Sequence, residues 1–147
     1  MTRRFAAACL VAIAACGPAP STPRESLAQP VLPIAPFSKL DREQKLAVMK
    51  ERVMPAMRPI FNDHDPTKFA AFGCETCHGN GAKTGTFEMP NPDLPRLDLA
   101  DLSKHEPRDV EWMKRDVWPQ MVKLLGEPAY SADTPTGFGC LGCHLPD

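Results

Sequence analysis

Met49-Lys50-Glu51-Arg52-Val53-Met54-Pro55-Ala56-Met57 returns further along the chain as Met113-Lys114-Arg115-Asp116-Val117-Trp118-Pro119-Gln120-Met121, with Met, Lys, Val, Pro and Met at identical spacing. Ile60 and Leu124 follow in step. Beyond them, Phe72-Gly73-Cys74-Glu75-Thr76-Cys77-His78 matches Phe138-Gly139-Cys140-Leu141-Gly142-Cys143-His144, after a connection two residues longer in the second copy. Such a repeat means two copies of one structural unit. Leu46, Met49, Val53, Met57 and Ile60 are spaced 3, 4, 4 and 3, as are Val110, Met113, Val117, Met121 and Leu124. This is a helical stripe, so each unit is expected to open with an amphipathic helix whose methionines face inward. Pro55 and Pro119 fall inside the stripe, and each removes a backbone donor, so each helix must kink or restart there. The second helix is expected to begin at Glu106-Pro107 and stop at Gly126. Gly79 to Asp101, rich in Gly, Pro, Asn and Asp, reads as a surface crossover without regular structure. No stretch alternates with the period of a strand. The expected fold class is all-α with low helix content, two repeated units after a Pro-rich tether.

The 147 residues allow one ordinary domain or two very small ones. Seventeen Lys+Arg against 18 Asp+Glu give a net charge of -1, which excludes a protein held to a polyanion by a basic patch, so no nucleic-acid partner is expected. Seventeen prolines, nine glycines and 7% aromatics predict interrupted helices and irregular connections rather than a sheet.

Met1-Thr2-Arg3-Arg4 followed by an apolar run from Phe5 to Ala15 has the form of a signal peptide, too short to span a bilayer. Its end, Ile13-Ala14-Ala15-Cys16, resembles a bacterial lipobox, in which the cysteine becomes the lipidated first residue. The alternative is an ordinary signal peptide with Cys16 incidental. Pro18, Pro20, Pro23, Pro30, Pro33 and Pro36 then favour an extended tether. Without Arg3 and Arg4 the remaining chain carries 15 basic and 18 acidic residues, a net of -3. The expected organisation is a signal peptide over 1–15, a lipidated tether over 16–38, a first unit over 39–81, a crossover over 82–102 and a second unit over 103–147. The expected location is the periplasm or the outer membrane, anchored by lipid.

Cys74-Glu75-Thr76-Cys77-His78 and Cys140-Leu141-Gly142-Cys143-His144 are both Cys-x-x-Cys-His, the attachment signature of c-type haem. Two cysteines three apart in a helical turn can each form a thioether to one porphyrin edge. The histidine that follows then presents its imidazole to the iron. Two covalent haems are therefore expected, on Cys74 and Cys77 with His78, and on Cys140 and Cys143 with His144. A four-cysteine zinc site fits the ligand count, but the pairs are too far apart for a usual ribbon and both histidines go unexplained. A redox dithiol wants a βαβ context, and disulfides within each motif would close loops too small to stabilise much. The cysteine count closes with haem: Cys9 leaves with the signal, Cys16 takes lipid and four take haem.

A helix carrying methionine ahead of Cys-x-x-Cys-His, repeated along the chain, resembles the tetrahaem cytochrome subunit of photosynthetic reaction centres, over about Leu40 to His144 and with two units instead of four. The resemblance implies that a methionine of each opening helix is the distal iron ligand. By it Met57 and Met121 are the candidates, and Met49 and Met113, two turns earlier, the alternatives. The plain reading of all four is core packing. In class I cytochromes the methionine follows the haem motif, whereas only three residues follow His144 here. His64 and His105 read as surface histidines, and either as a ligand would give a bis-His haem of lower potential. The expectation is a dihaem electron carrier, not an enzyme, with redox proteins as partners and no small-molecule substrate. The rival is a five-coordinate haem acting as a peroxidase or gas-binding site.

Overall fold

A computed structural model describes residues 35–147. The expected signal peptide over 1–15, the expected lipidation at Cys16 and the expected tether as far as residue 34 lie outside the described residues.

The first long helix starts at Asp41, whose side chain accepts the Gln44 N–H at 2.9 Å while Gln44 Oε1 accepts the Asp41 N–H at 3.1 Å. This capping box satisfies two of the donors that a helix start leaves open. α1 (Arg42–Val48) runs into a π-turn (Met49–Val53) and on into α2 (Met54–His64). In the π-turn the Met54 N–H donates to the Met49 carbonyl, five residues back. The second copy repeats the plan. α5 (Pro107–Trp112) passes through a π-turn (Met113–Val117), with the Trp118 N–H on the Met113 carbonyl, into α6 (Trp118–Leu125). The helix therefore does not restart at either proline. A wide turn just before Pro55 and Pro119 takes up the lost hydrogen bond and gives the ring room, and the helix continues. Pro59 lies inside α2, and both Pro55 and Pro59 are exposed, where solvent meets the unpaired carbonyls. Proline at the first position of α5 and left-handed Gly126 (φ 62°) after α6 match the expected start and stop.

Because the long helices survive their prolines, 54% of the described residues are helical, above the low content expected. The first copy ends with α3 (Cys74–His78), α4 (Asn80–Thr84) follows it, and 3-10 turns occur at Phe37–Lys39, Leu102–Lys104 and Cys140–Gly142. No strand occurs among the described residues, only the isolated bridges Leu97–Pro146 and Ala129–Phe138. None of the described helices is long and apolar enough to cross a membrane.

The two long helices pack reciprocally, α2 on the second π-turn and α6 on the first. Val53, Met57, Phe61, Phe72, Trp112 and Leu125 form the buried core. Phe61 is its hub, with ring centroids 4.8 Å from both Phe72 and Trp112 and 4.9 Å from Phe69. The few aromatics are concentrated here, each worth roughly 1.5–3 kcal/mol of burial. Three expectations are corrected. Leu46, assigned to the buried stripe, is 41% exposed. The tether ends earlier than residue 38: Phe37 packs on the core and the Ser38 N–H donates to Glu127 Oε1 at 2.6 Å. The crossover is partly regular, containing α4 and the buried Asn91.

Candidate haem-attachment sites

Gly73 adopts an extended conformation, and its N–H donates to Thr76 Oγ1 at 3.1 Å, which starts α3. The turn places Cys74 and Cys77, three apart, on one side, with His78 next in line. Cys74 is exposed, whereas Cys77 is half-buried against the core. Burial, with a smaller contribution from Cys74, pushes the Cys77 thiol up to about 11. Gly79, at φ 49°, turns the chain directly after His78, and a Cβ there would run into the Asp93 carboxylate. That carboxylate accepts the Asn80 N–H at 2.7 Å at the start of α4.

His78 meets the Phe87 ring edge-on, centroids 5.4 Å apart, and burial lowers its pKa. Phe87 itself has φ 51°, a left-handed conformation costly for a bulky residue, which holds its ring on the imidazole. His78 Nδ1 is buried with no hydrogen-bond partner among the described residues. The ring lines a small pocket of about 200 Å³ together with Thr86, Glu88, Asn91 and Asp93.

The second motif is tighter. Cys140–Gly142 form a 3-10 turn, and the Cys143 and His144 N–H groups both donate to the Cys140 carbonyl, at 3.1 and 3.0 Å. Glycine at 142 stands where the first copy has Thr76, because a Cβ would lie 2.7 Å from the Phe138 ring. Cys140 is exposed and Cys143 half-buried. Burial pushes Cys143 up to about 12, with Cys77 and then Cys140 as lesser causes, so the half-buried thiols of the two motifs are near neighbours.

His144 Nδ1 lies 2.8 Å from the Pro95 carbonyl oxygen. A carbonyl only accepts, so Nδ1 carries the proton and the Nε2 lone pair is left for a ligand. Metal-binding histidines are commonly held this way, since the bond fixes the ring and makes the free nitrogen more basic. The donor sets of both motifs therefore suit c-type haem: two thiols on one turn, then an imidazole with an unengaged nitrogen.

The crossover binds both motifs. Asn91, 2% exposed, donates from Nδ2 to the Cys77 carbonyl at 2.8 Å and from its backbone N–H to the Cys143 carbonyl at 2.9 Å. The Leu97 N–H donates to the Leu145 carbonyl at 2.9 Å, and Arg96 Nη1 to the Pro146 carbonyl at 2.8 Å. Sequence reasoning missed Asn91, Pro95 and Phe87. The available signal was Pro90-Asn91-Pro92, an asparagine fixed between two prolines in an otherwise open loop.

Met57 is 2% exposed in the core, and Met49, Met113 and Met121 are half-buried against the same cluster, as is Cys77. The structure therefore gathers all four candidate methionines and one motif cysteine into one apolar region. Met54 packs there too, while its counterpart Trp118 donates from Nε1 to the Phe138 carbonyl at 2.8 Å. His64 is not the surface histidine expected. Its side chain is 7% exposed, stacked at 3.9 Å on Trp112, with Nε2 2.7 Å from Asp109 Oδ1. His105 is half-buried beside the Leu102–Lys104 turn. A groove of about 980 Å³ runs past Ile60, His64, Arg108, Trp112, Arg115 and Lys123, and neither motif histidine nor any candidate methionine lines it.

No protein-family model matches the chain, and neither the curated proteins nor the solved structures contain a significant match to it.

Proposed function

We propose that the chain is an exported, lipid-anchored dihaem c-type cytochrome that passes electrons between redox protein partners. The observation that carries this reading is the paired Cys-x-x-Cys-His on matched helical units, with the His144 ring held through Nδ1 so that Nε2 is free. Cys74 with Cys77, and Cys140 with Cys143, would hold the two porphyrins by thioethers. In this reading His78 and His144, with Met57 and Met121, would hold the two irons. Bound there, haem supplies a one-electron iron couple, at a potential that methionine ligation raises.

The chain's own residues supply position and environment. The Pro95 carbonyl orients the His144 imidazole, and Phe87 fixes His78 from the side. The aromatic cluster around Phe61 keeps water from the methionine face. Iron held by a histidine and a methionine at each haem would offer no open site to a substrate, which favours electron transfer over chemistry on a bound molecule. Cys16 would carry the lipid that holds the module at a membrane in the periplasm or at the outer membrane.

A pyridine haemochrome assay with intact-mass spectrometry, on protein made with c-type maturation machinery, tests this directly. Two covalent haems per chain are expected. A haem-free chain that retains zinc would overturn the proposal. Carbon monoxide binding to the reduced native protein would replace it with an open-site enzyme or sensor.

A further inference from the structure

Asn91 is the one residue among those described whose own groups bond to both attachment motifs. Its Nδ2 reaches the Cys77 carbonyl at 2.8 Å, and its backbone N–H reaches the Cys143 carbonyl at 2.9 Å. Each carbonyl belongs to the peptide that leads into a motif histidine, His78 in one case and His144 in the other. The third group, Oδ1, accepts the Asp93 N–H at 2.9 Å, which fixes the amide's orientation. The residues that follow extend the grip on both sides. Asp93 holds Asn80 just past the first motif, and Pro95 and Leu97 hold His144 and Leu145 in the second.

From this geometry we infer that Asn91 is a positioning residue that fixes the two haem-attachment motifs relative to one another. The inference rests on the dihaem reading, and it adds to it the device that sets the mutual orientation of the two haems. No other side chain of this size serves. Aspartate keeps the acceptor for Asp93 but has no donor, and it sets a carboxylate against the Cys77 carbonyl. Leucine has neither group, and glutamine is a methylene too long for a site this buried. Two backbone carbonyls on half-buried residues would lose their partner if the residue were displaced.

Two porphyrins held at a fixed distance and angle give a coupled pair of circular-dichroism bands in the Soret region, and the amplitude of that couplet reads their mutual geometry. The full chain, matured with haem, is compared with Asn91→Asp and Asn91→Ser. The expected result is two haems per chain and an unchanged absorption spectrum, with the couplet reduced at least twofold in both variants. An unchanged couplet in variants that keep both haems overturns the inference. If neither variant keeps two haems, hydrogen exchange on the same proteins decides. Faster exchange at both Cys77–Gly79 and Cys143–Leu145 supports the clamp, and faster exchange at only one of them overturns it. A wild-type chain without covalent haem sinks the dihaem reading instead, and exchange then tests the clamp by itself.

Discussion

The two copies of the repeat share a helix, a wide turn, a proline and a Cys-x-x-Cys-His, yet they are stabilised differently. In the first, α3 is a turn of α-helix held by Thr76, Cys77 packs on the core, and His78 Nδ1 has no partner among the described residues. In the second, the motif is a 3-10 turn with glycine at the matching position, Cys143 lies off the core, and His144 is held by a backbone carbonyl. The first motif adds apolar packing from beneath to its hydrogen bond from the crossover, and the second draws more of its support from crossover hydrogen bonds. A duplicated sequence need not inherit its supports, because these come from whatever each copy meets in space.

On the dihaem reading, the strongest way to test the contrast is to remove both cofactors. Only six hydrophobic side chains are buried among the described residues, so the chain made without haem attachment is expected to lose most of its helical circular dichroism. Undiminished helicity would mean that side-chain packing alone supports both units. Next, Cys74→Ser with Cys77→Ser, and Cys140→Ser with Cys143→Ser, should each leave one haem per chain. The first pair is expected to lower the thermal midpoint further, since Cys77 abuts the core and Cys143 does not. Equal losses would erase the distinction.

Met57→Ala is expected to cost about 2–5 kcal/mol in denaturant unfolding, as for other fully buried large-to-small changes. Met121→Ala should cost roughly half as much, because its side chain is only partly covered. The smallest effect is local. Thr76→Ala removes the acceptor for the Gly73 N–H and should cost about 1 kcal/mol, also measured by denaturant unfolding. Importing the same device as Gly142→Thr should destabilise instead, since Phe138 occupies the space.

Much of the helical plan was legible because it rests on local rules. The 3–4 spacing, Pro107 at a first position and Gly126 after a last one all act within a turn of their own helix. The outcome at Pro55 and Pro119 was not legible, since kinking, restarting and widening all satisfy a missing N–H, and the surrounding packing chooses among them. His64 was misread because what buries it, Trp112, is distant in sequence and leaves no local trace. Asn91 escaped for a similar reason: its partners across the motifs are backbone carbonyls, which carry no residue signature. The two Cys-x-x-Cys-His motifs stand out because their spacing is itself a chemical signature, whereas the methionines are equally good as packing.

Expressed as rotation about the helix axis, the wide turn changes how those methionines must be tested. An α-helix advances about 100° per residue, so eight residues would leave Met49 and Met57 about 80° out of line. A π-turn absorbs one residue, and eight then rotate about as far as seven, within about 20° of two full turns. Met49 and Met57 consequently lie along nearly one edge, and Met113 and Met121 do the same. A sulfur removed from one end of that edge leaves another facing the same way. A spectrum that survives Met57→Ala is therefore informative only beside the Met49→Ala/Met57→Ala double variant.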